Sequence, residues 1–159
     1  TGAQYVALGA FSPSQAAGKL SVSLWANWQG LSGQWQGLIG KRDTWNADDM
    51  MWQIEANRDT GAVGFARNGS SVPSGNPVLT EGEWTHIAVS FDGTAGKFYV
   101  NGAVTGEGTG FSFGSDKKAA IQFGCCQANG GNPFNGALDE IRLYDYALSD
   151  EDVLGLAGQ

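Results

Sequence analysis

Residues 82–102 read GEWTHIAVSFDGTAGKFYVNG, and they carry the strongest strand and turn signals of the chain. Within it, residues 84–91 place apolar side chains at every second position, the pattern of a strand with one face in a core. Asn101-Gly102 joins two further short strands, residues 97–100 and 103–106, and this dipeptide is a strong signal for a two-residue hairpin turn. The stretch therefore predicts three consecutive antiparallel strands.

The same period-two pattern continues in both directions along the chain. Further strands are predicted at residues 3–8, 19–28, 34–42, 50–57, 62–67, 119–124 and 136–144. The 25 glycines, with only 4 prolines, indicate many tight turns between short strands. A helical signal is present only near the C-terminus, where Ser149 and Asp152 have the spacing of a capping box. Because strands do not alternate with long helices, the expected fold is all-β, a two-sheet antiparallel sandwich with a short C-terminal helical turn.

Length and charge narrow the functional classes. A chain of 159 residues fits one domain, so we expect residues 1–159 to form a single unit. The net charge of −7 argues against nucleic acid as a partner, because phosphate binding needs a positive face. No run of apolar residues is long enough to cross a bilayer, so membrane insertion is not expected.

Three segments together resemble one family. They are residues 20–28, residues 82–102 and residues 134–149, in which GALDEIRLY at 136–144 is the most distinctive run. Their order and spacing resemble the laminin-G-like branch of the concanavalin A-like lectin/glucanase superfamily. This resemblance implies a jelly-roll sandwich that is one module of a larger secreted protein, and many such modules bind carbohydrate.

The candidate sugar-binding residues lie in two loops and one strand. A sugar ring offers a C–H face to an aromatic plane and hydroxyl groups to amides and charged groups. The predicted residues are Trp45, Arg42, Asp43 and Asn46 in the loop after the third strand, Gln127 and Asn129 in the Gly- and Asn-rich loop, and Trp25. The alternative for Trp45 is packing on its own domain. Trp52 is expected to face the core, and a core role is less expected for Trp45 than for Trp52 or Trp84. Trp28 and Trp35 carry only a weak binding signal.

A calcium ion is the one cofactor that the resemblance implies. In related modules an acidic residue of the late strand, here Asp139, holds calcium together with backbone carbonyl groups. The alternative is a carboxylate that accepts backbone N–H groups or pairs with Arg142.

The two cysteines are adjacent, at Cys125 and Cys126. They cannot link distant parts of the chain. Two small buried thiols, a vicinal disulfide, and an intermolecular link or metal site remain open as interpretations.

The acidic residues do not predict a catalytic pair. Glycoside hydrolases use two carboxyl groups facing one cleft. Asp139 and Glu140 are adjacent, so a regular strand directs them to opposite faces, and Glu55 stands alone on its strand. His86, the only histidine, is expected to be structural. We therefore expect no enzyme activity.

The sequence predicts a non-catalytic carbohydrate-binding module, a monomer that tethers a secreted protein to a polysaccharide or oligosaccharide. The alternative is a protein-interaction or spacer domain of a surface protein.

Overall fold

A computed structural model describes residues 4–14, 18–44, 50–67, 70–110 and 118–159. Within these ranges it contains eleven strands, one short 3-10 turn and one α-helix. The strands are β1 Val6–Ala7, β2 Leu20–Trp28, β3 Gln36–Arg42, β4 Met50–Ala56, β5 Val63–Arg67, β6 Ser70–Val72, β7 Trp84–Phe91, β8 Ala95–Val100, β9 Ala103–Thr109, β10 Ile121–Phe123 and β11 Gly136–Tyr144. The helix, α1, is Asp150–Ala157, and the 3-10 turn is Ala128–Gly130.

The strands form two antiparallel sheets. The six-stranded sheet has the order β1-β10-β3-β4-β5-β6, and the five-stranded sheet has the order β11-β2-β7-β8-β9. Strands distant in sequence are therefore neighbours within each sheet. The expected all-β jelly-roll sandwich with a short C-terminal helix is confirmed. In the described part of the chain, no helix has the length and apolar character needed to cross a membrane.

The core lies between the sheets and follows the predicted alternation. Leu24 of β2 pairs with Ile87 of β7, and both side chains are fully buried. From the other sheet, Ile54 and Trp52 face them, and the Trp52 ring stacks on Phe65 with centroids 6.4 Å apart. The core position predicted for Trp52 is thus correct.

Several strand boundaries differ from the sequence expectation, and one further strand is present. The strand predicted at 3–8 is only Val6–Ala7 among the described residues, and β9 continues three residues further, to Thr109. Residues predicted as a loop contain the short strand β6, where Val72 is buried against the core. A single buried side chain is too little periodicity to identify such a strand from the sequence.

Helix α1 covers part of the outer face of the five-stranded sheet, the face turned away from the core. Its capping box is formed as predicted, with the Ser149 side chain accepting from the backbone N–H of Asp152. Val153 of the helix is buried against Ala88 and Tyr99 of the sheet. The hydroxyl group of Ser90 donates to the carbonyl oxygen of Leu148 over 2.8 Å, which fixes the approach to the helix.

Candidate functional site

The outer face of the six-stranded sheet carries a groove beside Trp35. One depression of about 370 Å³ is lined by Trp35, Arg42, Glu55, Gln127 and Asn132, and we call it the Trp35 groove. A wider depression of about 820 Å³ shares Trp35 and Glu55 with it. The wider part adds polar side chains at its rim, namely Asn57, Thr60, Ser74 and Asn76. Trp35 and Glu55 are common to both depressions, and the rest of the wider depression is lined largely by apolar residues.

Two glycines allow a loop to lie flat on this face. Gly37 and Gly40 of β3 lie directly beneath Cys126, and a side chain at Gly37 would overlap it. The backbone N–H of Gly37 donates to the carbonyl oxygen of Asn132 over 2.8 Å. The close approach carries Gln127 and Asn132 from the loop after β10 to the edge of the groove.

Arg42 is held rigidly at the end of β3. Its side chain is 1% exposed, and Nη2 donates to Oε1 of Gln127 over 3.1 Å. The amide of Gln122 donates to the Arg42 carbonyl oxygen over 3.3 Å. A buried, hydrogen-bonded guanidinium loses little conformational entropy when a ligand contacts it.

Glu55 is the charged partner on the floor of the groove. Period-two alternation in β4 places it on the outer face with Gln53, opposite the inward Ile54. The residue is 8% exposed. Burial raises the pKa of the Glu55 carboxyl, and the neighbouring Gln53 amide and the Arg42 charge oppose that shift only in part. The carboxylate is therefore poorly solvated, and a ligand hydroxyl group that donates to it would relieve this desolvation.

The predicted sugar-binding residues divide between the two faces of the sandwich. Arg42 and Gln127 meet in the Trp35 groove, and the half-buried Asp43 lies nearby, with its carbonyl oxygen accepting from the N–H of Ala128 over 3.2 Å. Trp45 and Asn46 lie outside the described residues. Asn129 is exposed in the 3-10 turn and is not among the residues that line the groove, whereas Asn132 from the same loop is.

Trp25 and Asp139 lie together on the opposite side of the domain, on the outer face of the five-stranded sheet. They line a depression of about 430 Å³ with Trp84, Glu140 and Gln159, which we call the Trp84 depression. Trp84 does not lie in the core, because the residue is 48% exposed. Trp84 and His86 are two positions apart on β7, so both side chains point to the outer face of the sheet. The residues that alternate with them on β7 face the core.

Trp35 and Glu55 are not among the sugar-binding residues that the sequence predicts. The signal for Glu55 was present, since Gln53 and Glu55 alternate with the apolar Trp52 and Ile54 on one strand. No local signal distinguishes Trp35, because its neighbours in the groove come from β4 and from the loop after β10.

The expectation that Asp139 and Glu140 point to opposite faces is wrong. A β-bulge shifts the register between Asp139 and Arg142, and Glu140 takes a φ of 49° there. Both acidic residues consequently line the Trp84 depression. Glu140 is ion-paired with Arg142, and Asp139 Oδ1 accepts from the N–H of Glu140 over 2.8 Å.

The surroundings of Asp139 fit a calcium ion poorly. The neighbouring Glu140 carboxylate is already bound to the Arg142 guanidinium, and a second positive charge would be repelled there. Among the described residues no group of three or more His, Cys, Asp or Glu side chains could hold a metal. Calcium at Asp139 stays a prediction from the resemblance.

Cys125 and Cys126 are free, fully buried thiols in the structure. Burial raises the pKa of both, that of Cys126 to about 12. Thiols of this kind are weak nucleophiles at neutral pH, because the thiolate is the reactive form. The predicted vicinal disulfide stays a prediction.

Comparison with known proteins places this geometry in context. The family model of the concanavalin A-like lectin/glucanases superfamily, of laminin G type, matches residues 1–154. A rat protein, "Sushi, von Willebrand factor type A, EGF and pentraxin domain-containing protein 1", is 32% identical over 100 residues. That match covers 57% of this chain but only 3% of the rat protein.

Two solved structures share the fold over most of the chain. Domain 4 of AbnA, a GH43 extracellular arabinanase from Geobacillus stearothermophilus in complex with arabinotriose, is 27% identical with a TM-score of 0.70. The match covers 88% of this chain and 66% of that one. A heptameric SAP-like pentraxin from Limulus polyphemus is 19% identical with a TM-score of 0.64, covering 89% of this chain and 70% of that one.

Proposed function

This chain belongs to the laminin G-type family of the concanavalin A-like lectin/glucanases superfamily, and on that premise we propose that it is a non-catalytic carbohydrate-binding module. The ligand is a neutral oligosaccharide or polysaccharide segment that lies in the Trp35 groove. The observation that carries the proposal is one exposed indole ring beside a rigid, oppositely charged pair, Arg42 and Glu55.

The groove has the chemical features that a sugar requires. Trp35, 38% exposed, offers an apolar plane for the C–H face of a pyranose or furanose ring. Glu55 accepts hydrogen bonds from sugar hydroxyl groups, and the amides of Gln127 and Asn132 both donate and accept. Few, well-placed polar groups around an aromatic ring are typical of small-molecule sites.

The charges favour a neutral ligand. Arg42 and Glu55 balance each other within the groove, so neither an anionic nor a cationic sugar gains from it. The net charge of −7 over the whole chain disfavours a polyanion further. The similar arabinanase domain was solved with arabinotriose, a neutral sugar, which supports this class.

The groove supports binding rather than hydrolysis. Among the described residues that line it, Glu55 is the only acid, whereas glycoside hydrolysis by the common mechanisms needs two carboxyl groups across the scissile bond. A module of this kind acts by tethering, because it raises the local concentration of an attached protein on a polymer. The extracellular arabinanase relative supports an extracellular setting for such a module.

A protein-interaction role is the second candidate. It is favoured by the 32% identity to a large sushi-, EGF- and pentraxin-domain protein. In that case the Trp35 groove would not retain a polysaccharide.

Affinity electrophoresis tests the proposal against soluble arabinan, arabinoxylan, β-glucan, galactomannan and, as an anionic control, polygalacturonate. We expect retardation by at least one neutral polymer, a loss of about tenfold in affinity for Trp35→Ala, and partial recovery for Trp35→Phe. Tyr5→Ala is the matched control, because Tyr5 is an exposed aromatic residue that lines neither the groove nor the Trp84 depression. Equal retardation of the Trp35 variant and the wild type would disprove the site. Repeating the gel with EDTA tests the calcium prediction separately.

A further inference from the structure

The Trp84 depression lies at the end of the five-stranded sheet that helix α1 leaves uncovered. Trp25 of β2 pairs with His86 of β7, and Trp84 pairs with Asn27, so both indoles stand on the outer face, two residues apart across the strand pair. Trp84 is 48% exposed and Trp25 is partly exposed. Two adjacent exposed tryptophans on a sheet face are unusual for a surface that only meets water.

The Trp25 ring rests on a fixed support. Its edge meets the His86 ring at a centroid distance of 5.4 Å and an interplanar angle of 62°. His86 is fully buried, and its Nε2 is hydrogen-bonded to the Ser23 hydroxyl group over 2.9 Å. The backbone N–H of His86 donates to Oδ1 of Asn101 over 2.9 Å. The platform is thus positioned before any ligand arrives, which lowers the entropy cost of binding.

The β-bulge in β11 supplies the polar rim. In a regular strand only Asp139 would face Trp25, its register partner. The extra residue turns Glu140 to the same side, at the cost of a φ of 49° in a residue with a side chain. Backbone strain of this kind is concentrated at functional sites, and here it brings a second carboxylate to the two indoles.

The rim mixes hydrogen-bond donors and acceptors. Arg142 Nη2 is ion-paired with Glu140 and also donates to Oε1 of Gln159 over 3.0 Å. Arg142 is not among the residues that line the depression, but Gln159 is. The Gln159 side-chain amide supplies a donor and an acceptor beside the carboxylates of Asp139 and Glu140, which disfavour an anionic ligand. Sugar hydroxyl groups donate and accept, so a neutral sugar satisfies both kinds of group.

We propose that the Trp84 depression is a second sugar-binding site, which takes one neutral sugar unit of a glycan. Trp25 and Trp84 provide the stacking surface, and Asp139 accepts from ring hydroxyl groups. This site stands independently of the Trp35 groove. If both the Trp35 groove and the Trp84 depression bind sugar, the domain is bivalent. This bivalence rests on the proposed function.

Bivalence has a geometric consequence. The two sites are on the outer faces of opposite sheets, and packed sheets are about 10 Å apart. The sites therefore face in opposite directions, and neighbouring units of one short oligosaccharide do not reach both. A single domain would instead hold two polymer segments and cross-link them.

The test compares Trp84→Ala, Trp35→Ala, the double variant and the Tyr5→Ala control by affinity electrophoresis on the same polymers. For a polymer that retards the wild type, we expect Trp84→Ala to weaken affinity by three- to tenfold and the double variant to abolish retardation. Trp84→Phe should recover part of the loss, and Asp139→Asn should also weaken binding. Thermal melting of each variant confirms folding, which the exposure of Trp84 leads us to expect.

The outcomes separate the two sites. Loss with Trp35→Ala alone supports the proposed function and overturns the second site. Loss with Trp84→Ala alone supports the second site and overturns the Trp35 groove, and no retardation by any polymer overturns both. Quenching of tryptophan fluorescence by oligolysine that Trp84→Ala abolishes, with no effect of neutral sugars, would overturn the sugar assignment in favour of a basic peptide. Wild-type protein should also make a solution of the bound polymer turbid, and each single variant should not.

Discussion

Gly37 of β3 lies so close beneath Cys126 that a β-carbon at position 37 would overlap the cysteine side chain and its backbone nitrogen. The contact joins a strand of the six-stranded sheet to the loop that carries Gln127 and Asn132. The absence of a side chain at one position therefore sets the height of the loop above the sheet. Gln127 and Asn132 of this loop line the Trp35 groove.

Gly37→Ala should destabilise the domain by about 1–3 kcal/mol, because overpacking forces the loop or the strand to move. It should also weaken sugar binding, since Gln127 and Asn132 move with the loop. Denaturant unfolding measures the first effect and affinity electrophoresis the second. Gly64→Ala is the control for the unfolding measurement alone, because its β-carbon would meet only the Ser74 hydroxyl group, at an ordinary 3.6 Å, while Gly64 itself lines the wider depression. Equal unfolding free energies for the two variants would contradict the contact.

Glu55→Gln should raise the stability of the domain at neutral pH and at the same time weaken sugar binding. Because burial raises the pKa of this carboxyl, the folded state favours the protonated form, and the stability that it contributes declines as pH rises through the folded-state pKa. The glutamine variant lacks this charge and should be more stable than the wild type at pH 7 to 8, with the difference shrinking towards pH 4. Its affinity for the polymer should nevertheless fall several-fold. Melting temperatures across this pH range give the comparison, and a variant that loses stability at pH 8 would refute the interpretation.

Because of His86, the free energy of unfolding should fall at mildly acidic pH. Burial and the Arg142 charge lower its pKa to about 4, from 6.5 in an unfolded chain. The neutral form is therefore favoured by folding. Its contribution is complete above pH 6.5 and is lost as pH falls towards 4, by about 3 kcal/mol in total.

The measurement for His86 is the unfolding free energy between pH 4 and pH 7 for the wild type and for His86→Gln. The wild type should lose more stability than the variant over that range. Parallel profiles would show that the histidine titrates normally.

Lys41→Met should destabilise the domain more than an exposed lysine substitution does. The fully buried Lys41 Nζ donates to the carbonyl oxygens of Ala119, over 2.7 Å, and Ala10, over 3.3 Å. Removal of the ammonium leaves these carbonyl groups without that donor, at a cost of about 1–3 kcal/mol. Lys97→Met, which breaks an exposed pair with Asp150, should cost under about 1 kcal/mol. Denaturant unfolding measures the loss of stability for both variants. A smaller loss for Lys41→Met than for Lys97→Met would contradict the prediction.

The adjacent cysteines should be unreactive in the folded, reduced protein, because burial raises both thiol pKa values. Iodoacetamide should modify them slowly in the native state and rapidly in denaturant. Mass spectrometry of protein denatured without reductant tests the vicinal disulfide, which would give a mass two hydrogens lower and no alkylation. Rapid native alkylation would contradict the burial of Cys126.

Several features of the fold were predictable because their causes are local. The alternation in residues 84–91 assigned Ile87 and Val89 to the core, and both are fully buried there. Asn101 and Gly102 both have positive φ, at 49° and 80°, as their hairpin turn requires. The capping box at Ser149 formed for the same reason, since each of these signals involves residues only a few positions apart.

The candidate sites were only partly predictable. Arg42 and Gln127 were chosen from the sequence for their chemistry, but they are 85 positions apart and meet only because β10 pairs with β3. Trp25 was assigned to the same site, and the order of strands in the two sheets places it on the opposite side of the domain. The type of a side chain shows that it can bind a sugar. Which other side chains lie beside it depends on the order of the strands in the sheets.

Most of the strands, the inward face of β7, the Asn101-Gly102 turn and the start of the helix follow from local sequence patterns, because period-two burial and turn chemistry act between near neighbours. The shared groove of Glu55 and Trp35 and the common direction of Asp139 and Glu140 follow only from how the strands pair in three dimensions. The first depends on the pairing of β3 with β4, and the second on one extra residue in β11 where it pairs with β2. Both are set by packing between segments remote in sequence, which no local pattern records.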